Sequence, residues 1–183
     1  MTTSSIYIGE KIKIRPYRDS DVEQLYEAAK ESIEHVHPWL PWCHPEYSRK
    51  DSQQWIERTQ RMWQENREFE FAVLTADEVM FLGGCGLNQI DHPHKVVNLW
   101  FWVRGSARGQ DVAPTAGLMT ARFAFEQLGF ARIEIIMSVE NRASQRVAEK
   151  MGATQEGVLR ERMELHGSRH NAYLYSLLAG EIA

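Results

Sequence analysis

Cysteine is scarce in this sequence. Cys43 and Cys85 are the only two among 183 residues. Two cysteines do not build a disulfide framework, which points to a reducing compartment, the cytoplasm. Long apolar runs are missing too: none approaches the ~18 residues that a membrane helix needs, so no membrane partner is expected. Met1 to Ser5 show no basic segment leading into an apolar stretch, so no signal peptide is expected. Nor is there a basic excess, since 21 Lys+Arg against 25 Asp+Glu leave a net charge of -4. Nucleic-acid binders usually carry a basic stripe, so nucleic acid is set aside. A mild acidic balance would suit a cationic substrate. Repeats, low-complexity stretches and linkers are also absent, and the length fits one domain over residues 1–183.

What is present reads as a mixed α/β chain. Ile12 to Arg15 alternates as a first strand and stops at Pro16. Ser20 with Glu23 predicts a capping box and a helix from Asp21 to Ser32. Pro38 and Pro41 exclude regular structure from His35 to Trp42. A second helix is expected from Lys50 to Asn66. Strands follow at Phe69–Thr75 and Val79–Gln89, turning at Ala76-Asp77-Glu78. Val96 to Val103 is a strand of mostly large apolar residues, which implies a buried position. A helix starts near Ala113 with Pro114 in its first turn and ends near Gly129. Then come a strand at Arg132–Ser138 and a short helix from Ser144 to Met151, closed by Gly152. Two last strands hinge at His166-Gly167-Ser168.

The informative unit is the strand, loop and helix start between Phe101 and Thr115. Unsatisfied N–H groups at a helix N-terminus carry partial positive charge and make an anion site, for which a diphosphate is a natural guest. The loop is neither a Walker A sequence nor Gly-x-Gly-x-x-Gly. On its own it also fits a plain strand-to-helix connection.

Longer stretches resemble the GNAT acetyltransferases. Phe101-Trp102-Val103 followed by Ala107-Arg108-Gly109-Gln110-Asp111-Val112-Ala113 is similar to that family's coenzyme A signature, Arg/Gln-x-x-Gly-x-Gly/Ala. Asn141 to Ala153 is similar to its second motif. Glu156-Gly157-Val158-Leu159-Arg160-Glu161 and Tyr173 to Leu178 are similar to its C-terminal strands, and Arg15-Pro16 with Asp19 and Asp21 to its opening. Pro38-Trp39-Leu40-Pro41-Trp42 resembles a loop of the ribosomal-protein serine and alanine N-acetyltransferase subgroup. The resemblance covers nearly the whole chain, with five motifs in order.

It implies a single-domain fold with a splayed sheet of about seven strands and helices on both faces. Acetyl-coenzyme A would be the co-substrate, with no metal. The acceptor would be a primary amine on a peptide N-terminus or a small molecule, acetylated by direct attack through a tetrahedral intermediate. Main-chain groups of Phe101, Trp102 and Val103 would pair with the pantetheine amides. Arg108, Gly109, Gln110, Asp111, Val112 and Ala113 would hold the diphosphate with Thr115 nearby, and Asn141 would reach the pantetheine. Trp39, Trp42, His37 and Asn98 are candidates for the acceptor side. A homodimer is compatible with this reading.

Three positions depart from the family pattern. Asp111 stands where a second glycine is usual. Asp tolerates left-handed backbone better than most residues, but its charge opposes a phosphate. Its side chain is therefore expected either to turn into solvent or to weaken coenzyme A affinity. Asn98 replaces a glutamate that many relatives use as a base, and Ala148 replaces a tyrosine acid. Ser144 is the remaining candidate for donating to the departing thiolate, or else it is a helix cap after Asn141. Glu161 and Glu164 flank Met163, where the subgroup has a glutamate, and alternation makes them face differently. These departures keep a second reading open, an acyl-coenzyme A-binding module with weakened or lost catalysis. His35, His37, Cys43 and His44 cluster in sequence, but their spacing matches no zinc pattern.

Overall fold

The computed structural model describes residues 7–182. Eight strands form one mixed sheet in the order β1-β2-β3-β4-β5-β6-β8-β7. The strands are β1 (Tyr7–Ile8), β2 (Ile12–Pro16), β3 (Phe69–Thr75), β4 (Phe81–Asp91), β5 (Val96–Val103), β6 (Arg132–Ser138), β7 (Thr154–Leu165) and β8 (Ser168–Leu178). The two-residue β1 is one more strand than the sequence implies. Four helices complete the fold: α1 (Val22–Val36), α2 (Arg49–Gln64), α3 (Val112–Arg122) and α4 (Arg142–Lys150). A π turn, Phe123–Gln127, carries α3 onward.

Period-2 alternation gives the sheet two apolar faces. Leu87, Leu99, Ile133 and Ile135 pack with Ala116 and Ala121 of α3 and Ala148 of α4. On the opposite face Ala72, Leu74, Phe81 and Trp102 pack with Leu25 and Ala28 of α1 and Ile56 of α2.

Local details differ from the sequence reading. α1 runs four residues further, to Val36; His37 keeps helical geometry and its N–H still bonds Ile33 O, and the ladder ends at Pro38, which has no N–H to donate. Ser20 is not the cap. Asp21 closes that turn, its Oδ2 accepting the Arg18 N–H at 2.8 Å. The same carboxylate takes the Arg15 guanidinium in a buried fork of 2.7 and 2.8 Å. Val79 is exposed in the hairpin turn, and β4 starts at Phe81.

β5 and β6 run parallel, joined by α3, but pair only at Val96↔Arg132, Val97↔Ile133 and Asn98↔Glu134. Beyond that point β5 stays with β4 through Val103↔Gly83, while β6 stays with β8 through Ser138↔Ala172. The sheet therefore parts into two halves. A bulge in β4 between Asn88 and Asp91, with Gln89 at φ 49°, sits opposite the start of the parting; bulges bend and twist a strand locally.

The β3–β4 hairpin anchors the other edge. Glu78, in left-handed geometry at φ 61°, accepts from Lys13 Nζ at 2.7 Å, Arg15 Nε at 3.0 Å and Arg18 at 3.0 Å. Bonds from Lys13 and Arg15 hold its pKa down to about 2. That lies below the ordinary value of about 4.3. Its stabilisation is complete above the ordinary value and lost as pH falls through about 2. Glu78→Gln is expected to lower the urea-unfolding free energy by roughly 1–3 kcal/mol at pH 7, with the gap closing towards pH 2. An equal gap at both pH values would show that the charge is not its source.

Candidate active site

The parting of β5 and β6 opens a cleft of about 750 Å³. Its walls come from five places. The end of α1 and the turn after it supply Glu34, His35, Pro38, Trp39 and Leu40. β5 supplies Leu99 to Val103, and β6 Ile135 to Ser138. The loop into α3 supplies Ala107 to Pro114 except Gln110, and α4 supplies Asn141, Ser144, Arg146 and Lys150 among others. Met163 of β7 closes one end.

The loop is built by local geometry. A 3-10 turn, Gly105–Ala107, is tied to α1: Ser106 N–H donates to Glu31 at 2.6 Å, and Gly105 N–H to Ser32 Oγ at 3.1 Å. Gly109 then takes φ 73°, and Asp111, the N-cap of α3, takes φ 58°. Asp111 thus accepts the left-handed backbone that glycine would otherwise supply. Pro114 brings no N–H to the first turn. None of the N–H groups of residues 109–113 reaches an acceptor among the described residues. Five consecutive main-chain donors therefore stand open at one end of the cleft.

The Asp111 carboxylate is 63% exposed and paired with Lys150 Nζ of α4. Its expected choice between facing solvent and weakening a phosphate site is thus joined by a third outcome, a resident counter-ion. Sequence reading missed Lys150, because the pair is 39 residues apart and no local pattern couples them. With Arg108 and Arg146 also lining the cleft, three cations stand there against two carboxylates, Asp111 and Glu34, in a chain of net charge -4.

Asn141, 8% exposed, is the N-cap of α4, its Oδ1 accepting the Ser144 N–H at 3.1 Å. The cap role is therefore taken, and Ser144 is a first-turn residue facing the cleft. Asn141 Nδ2 has no partner among the described residues.

Other anticipated residues fall elsewhere. Gln110 turns its side chain back to Ser106 O at 2.9 Å, and the exposed Thr115 hydroxyl donates to Asp111 O at 2.7 Å. Asn98 donates to Asn88 at 2.8 Å, where β5 and β6 are still paired, and does not line the cleft. Trp39 lines the cleft, whereas Trp42 packs on the other face against Trp102 at 5.3 Å. His37 lies beside the rim, its ring 4.6 Å from that of His166 at the β7–β8 hairpin. His166 also reaches His37 O at 3.0 Å. On β7 a bulge between Leu159 and Met163 turns Met163 into the cleft and leaves Glu161 and Glu164 exposed outside it. His35 bonds Val103 O at 3.0 Å, and Cys43 is buried against Ala29 O. Among the described residues no three His, Cys, Asp or Glu side chains are placed to hold a metal ion, and no helix is long and apolar enough to cross a membrane.

Known proteins share this fold. The acetyltransferase (GNAT) domain family matches residues 11–154. YdaF of Bacillus subtilis (strain 168) is 25% identical over 175 residues, 95% of this chain and 94% of that one. The ribosomal-protein-serine acetyltransferase of Escherichia coli (strain K12) is 23% identical over 175 residues, 95% of this chain and 96% of that one. The crystal structure of the microcin C7 self-immunity acetyltransferase MccE, in complex with acetyl-CoA and AMP, superposes with a TM-score of 0.88. That match covers 97% of each chain at 22% identity. The protein belongs to the GNAT family of acetyltransferases, enzymes whose acetyl donor is acetyl-coenzyme A.

Proposed function

We propose that this protein acetylates the α-amine of a peptide N-terminus, with the donor lying along the parted edges of β5 and β6. The observation that carries this reading is the row of five open N–H groups at residues 109–113, at the end of a gap walled by two strand edges. Oriented main-chain donors at a helix start suit a diphosphate, and the surplus of Arg108, Arg146 and Lys150 adds to the attraction. The edge of β5 that β6 leaves free, from Leu99 to Val103, offers main-chain groups to an extended amide-bearing arm, as an added strand would. Asn141 Nδ2 faces the same arm from α4.

The donor supplies an activated acetyl thioester, and the chain's own residues position it. A main-chain N–H among Phe101, Trp102 and Val103 is placed to hold the carbonyl oxygen as charge develops on it. The neutral amine bonds to the thioester carbon, and as the C–S bond breaks Ser144 passes its hydroxyl proton to the sulfur and takes up the proton that the new amide nitrogen sheds, leaving thiol, amide and neutral serine. No carboxylate of β7 lines the cleft, so the mechanism uses neither Glu161 nor Glu164. A site without a strong base favours an amine that is already neutral. At pH 7 about one α-amine in ten is neutral, against about one lysine side chain in 2,500. Trp39 walls the acceptor end, and the His37–His166 contact ties the turn after α1 to the β7–β8 hairpin beside it. The name of the Escherichia coli relative, a ribosomal-protein-serine acetyltransferase, is in keeping with such an acceptor.

Two measurements test the reading. The first addresses the diphosphate. A carboxylate about 4 Å from a phosphate charge costs roughly 1 kcal/mol in water and about 4 kcal/mol at an effective dielectric of 20. Lys150→Met, which strips Asp111 of its partner, should weaken acetyl-coenzyme A binding about 10-fold or more by calorimetry. Asp111→Gly should tighten it, and the double variant should return close to wild type. Unchanged affinity in Lys150→Met would place the diphosphate elsewhere. The second addresses chemistry. Ser144→Ala should slow thiol release with a peptide acceptor about 10-fold or more while acetyl-coenzyme A still binds. Full turnover would remove Ser144 from the mechanism.

A further inference from the structure

A second hollow, of about 280 Å³, opens on the α1/α2 face of the sheet. Its inner wall is Trp100 and Trp102, and the same two residues also line the main cleft. Trp42, Tyr47 and Trp55 supply the other aromatic walls. The rings meet at steep angles: Trp42 and Tyr47 at 63°, Trp42 and Trp102 at 71°, Trp55 and Trp100 at 86°, with centroids 5.3 to 5.9 Å apart. Crossed rings make a box rather than a slot. A flat aromatic guest needs two parallel faces, whereas a compact cation gains from each ring face turned towards it.

The charged side chains that line the box are one carboxylate, Asp51, and one guanidinium, Arg58. Arg58 lies over Trp55, but its guanidinium is already paired with Glu68 by two contacts of 2.7 Å. Asp51 carries negative charge at the rim, where His44 and Gln54 also sit. Behind Trp100 lies Glu70, 1% exposed. Its Oε1 accepts from Trp100 Nε1 at 3.1 Å, and its Oε2 has no partner. Burial pushes its pKa well above the ordinary carboxylate range, against the pull of the Trp100 bond. Opposite, on β4, stands Gly86, where any Cβ would collide with Oε2. The fold thus makes room for a buried acid that is costly to keep and that acetyl transfer in the main cleft does not use.

We propose that this aromatic box is a subsite for a compact organic cation, an ammonium or methylated ammonium group carried by the acceptor beside the amine that is acetylated. Its role in choosing acceptors rests on the acetyl-transfer reading of the main cleft; its affinity for the cation does not. Choline and its neutral isostere 3,3-dimethylbutan-1-ol, titrated against tryptophan fluorescence at physiological salt, separate charge from shape. Choline should bind at least 10-fold more tightly, and Trp55→Leu should lose about 10-fold of that affinity while keeping its coenzyme A-dependent thermal shift. Equal binding of the neutral isostere overturns the proposal. So does saturable binding of indole or adenosine with none of choline. The wild-type comparison stands even if Trp55→Leu fails to fold. A peptide beginning Ser-Lys should then exceed one beginning Ser-norleucine in kcat/KM by about 10-fold. Acetylation of peptides without choline binding removes the box alone, and choline binding without acetylation of any amine removes the acetyl-transfer reading alone.

Discussion

Two parallel strands that separate after three residue pairs leave main-chain groups on both facing edges without partners on the opposite strand. β5 and β6 meet only between Val96–Asn98 and Arg132–Glu134. Buried main-chain groups of this kind need partners, so the gap is a demand as well as a space. Much of the rest of the molecule serves it. β4 and β8 hold the two strands apart by pairing along their outer edges, the β4 bulge bends the sheet where the parting starts, and α3 begins at the open end of β5. A βα connection puts a helix N-terminus at the carboxyl end of its strand, the usual place for an anionic ligand in such sheets.

Charge at that end is balanced by chain segments distant in sequence. Asp111 supplies the left-handed residue before α3 at the cost of a carboxylate beside open N–H groups, and Lys150 offsets the charge from α4. Backbone conformation and electrostatics are usually satisfied together here by a glycine. In this chain they are satisfied separately, by two side chains that touch.

β5 borders two cavities, and its composition reflects that. Phe101 and Val103 face the side of α3 and α4, while Trp100 and Trp102 face α1 and α2. From the sequence alone such a run of large apolar residues implies full burial. In the structure Trp100, Phe101 and Val103 are only half-buried, because both faces of the strand end against hollows rather than against helices. Glu70 and Gly86 complete the α1/α2 side, an acid and the space for it placed on neighbouring strands.

The order of the longer elements and the loop from Arg108 to Ala113 were legible in the sequence, because each depends on residues a few positions apart, whereas the cap of α4 fell to Asn141 rather than to Ser144. The motifs that resemble the family were legible too. Other features were not. α1 outran its predicted end by four residues, since tertiary packing of Val36 outweighs the weak local stop at Ser32. The bulge in β7 decided that Met163 and neither glutamate faces the cleft, and alternation counted from the chain cannot foresee a bulge. By itself the sequence determined the order of the longer elements and the loop that leads into α3. Only the tertiary structure decided which side chains would share a wall, pairing Asp111 with Lys150 and closing five aromatic rings into a box, because those meetings depend on segments that no local period connects.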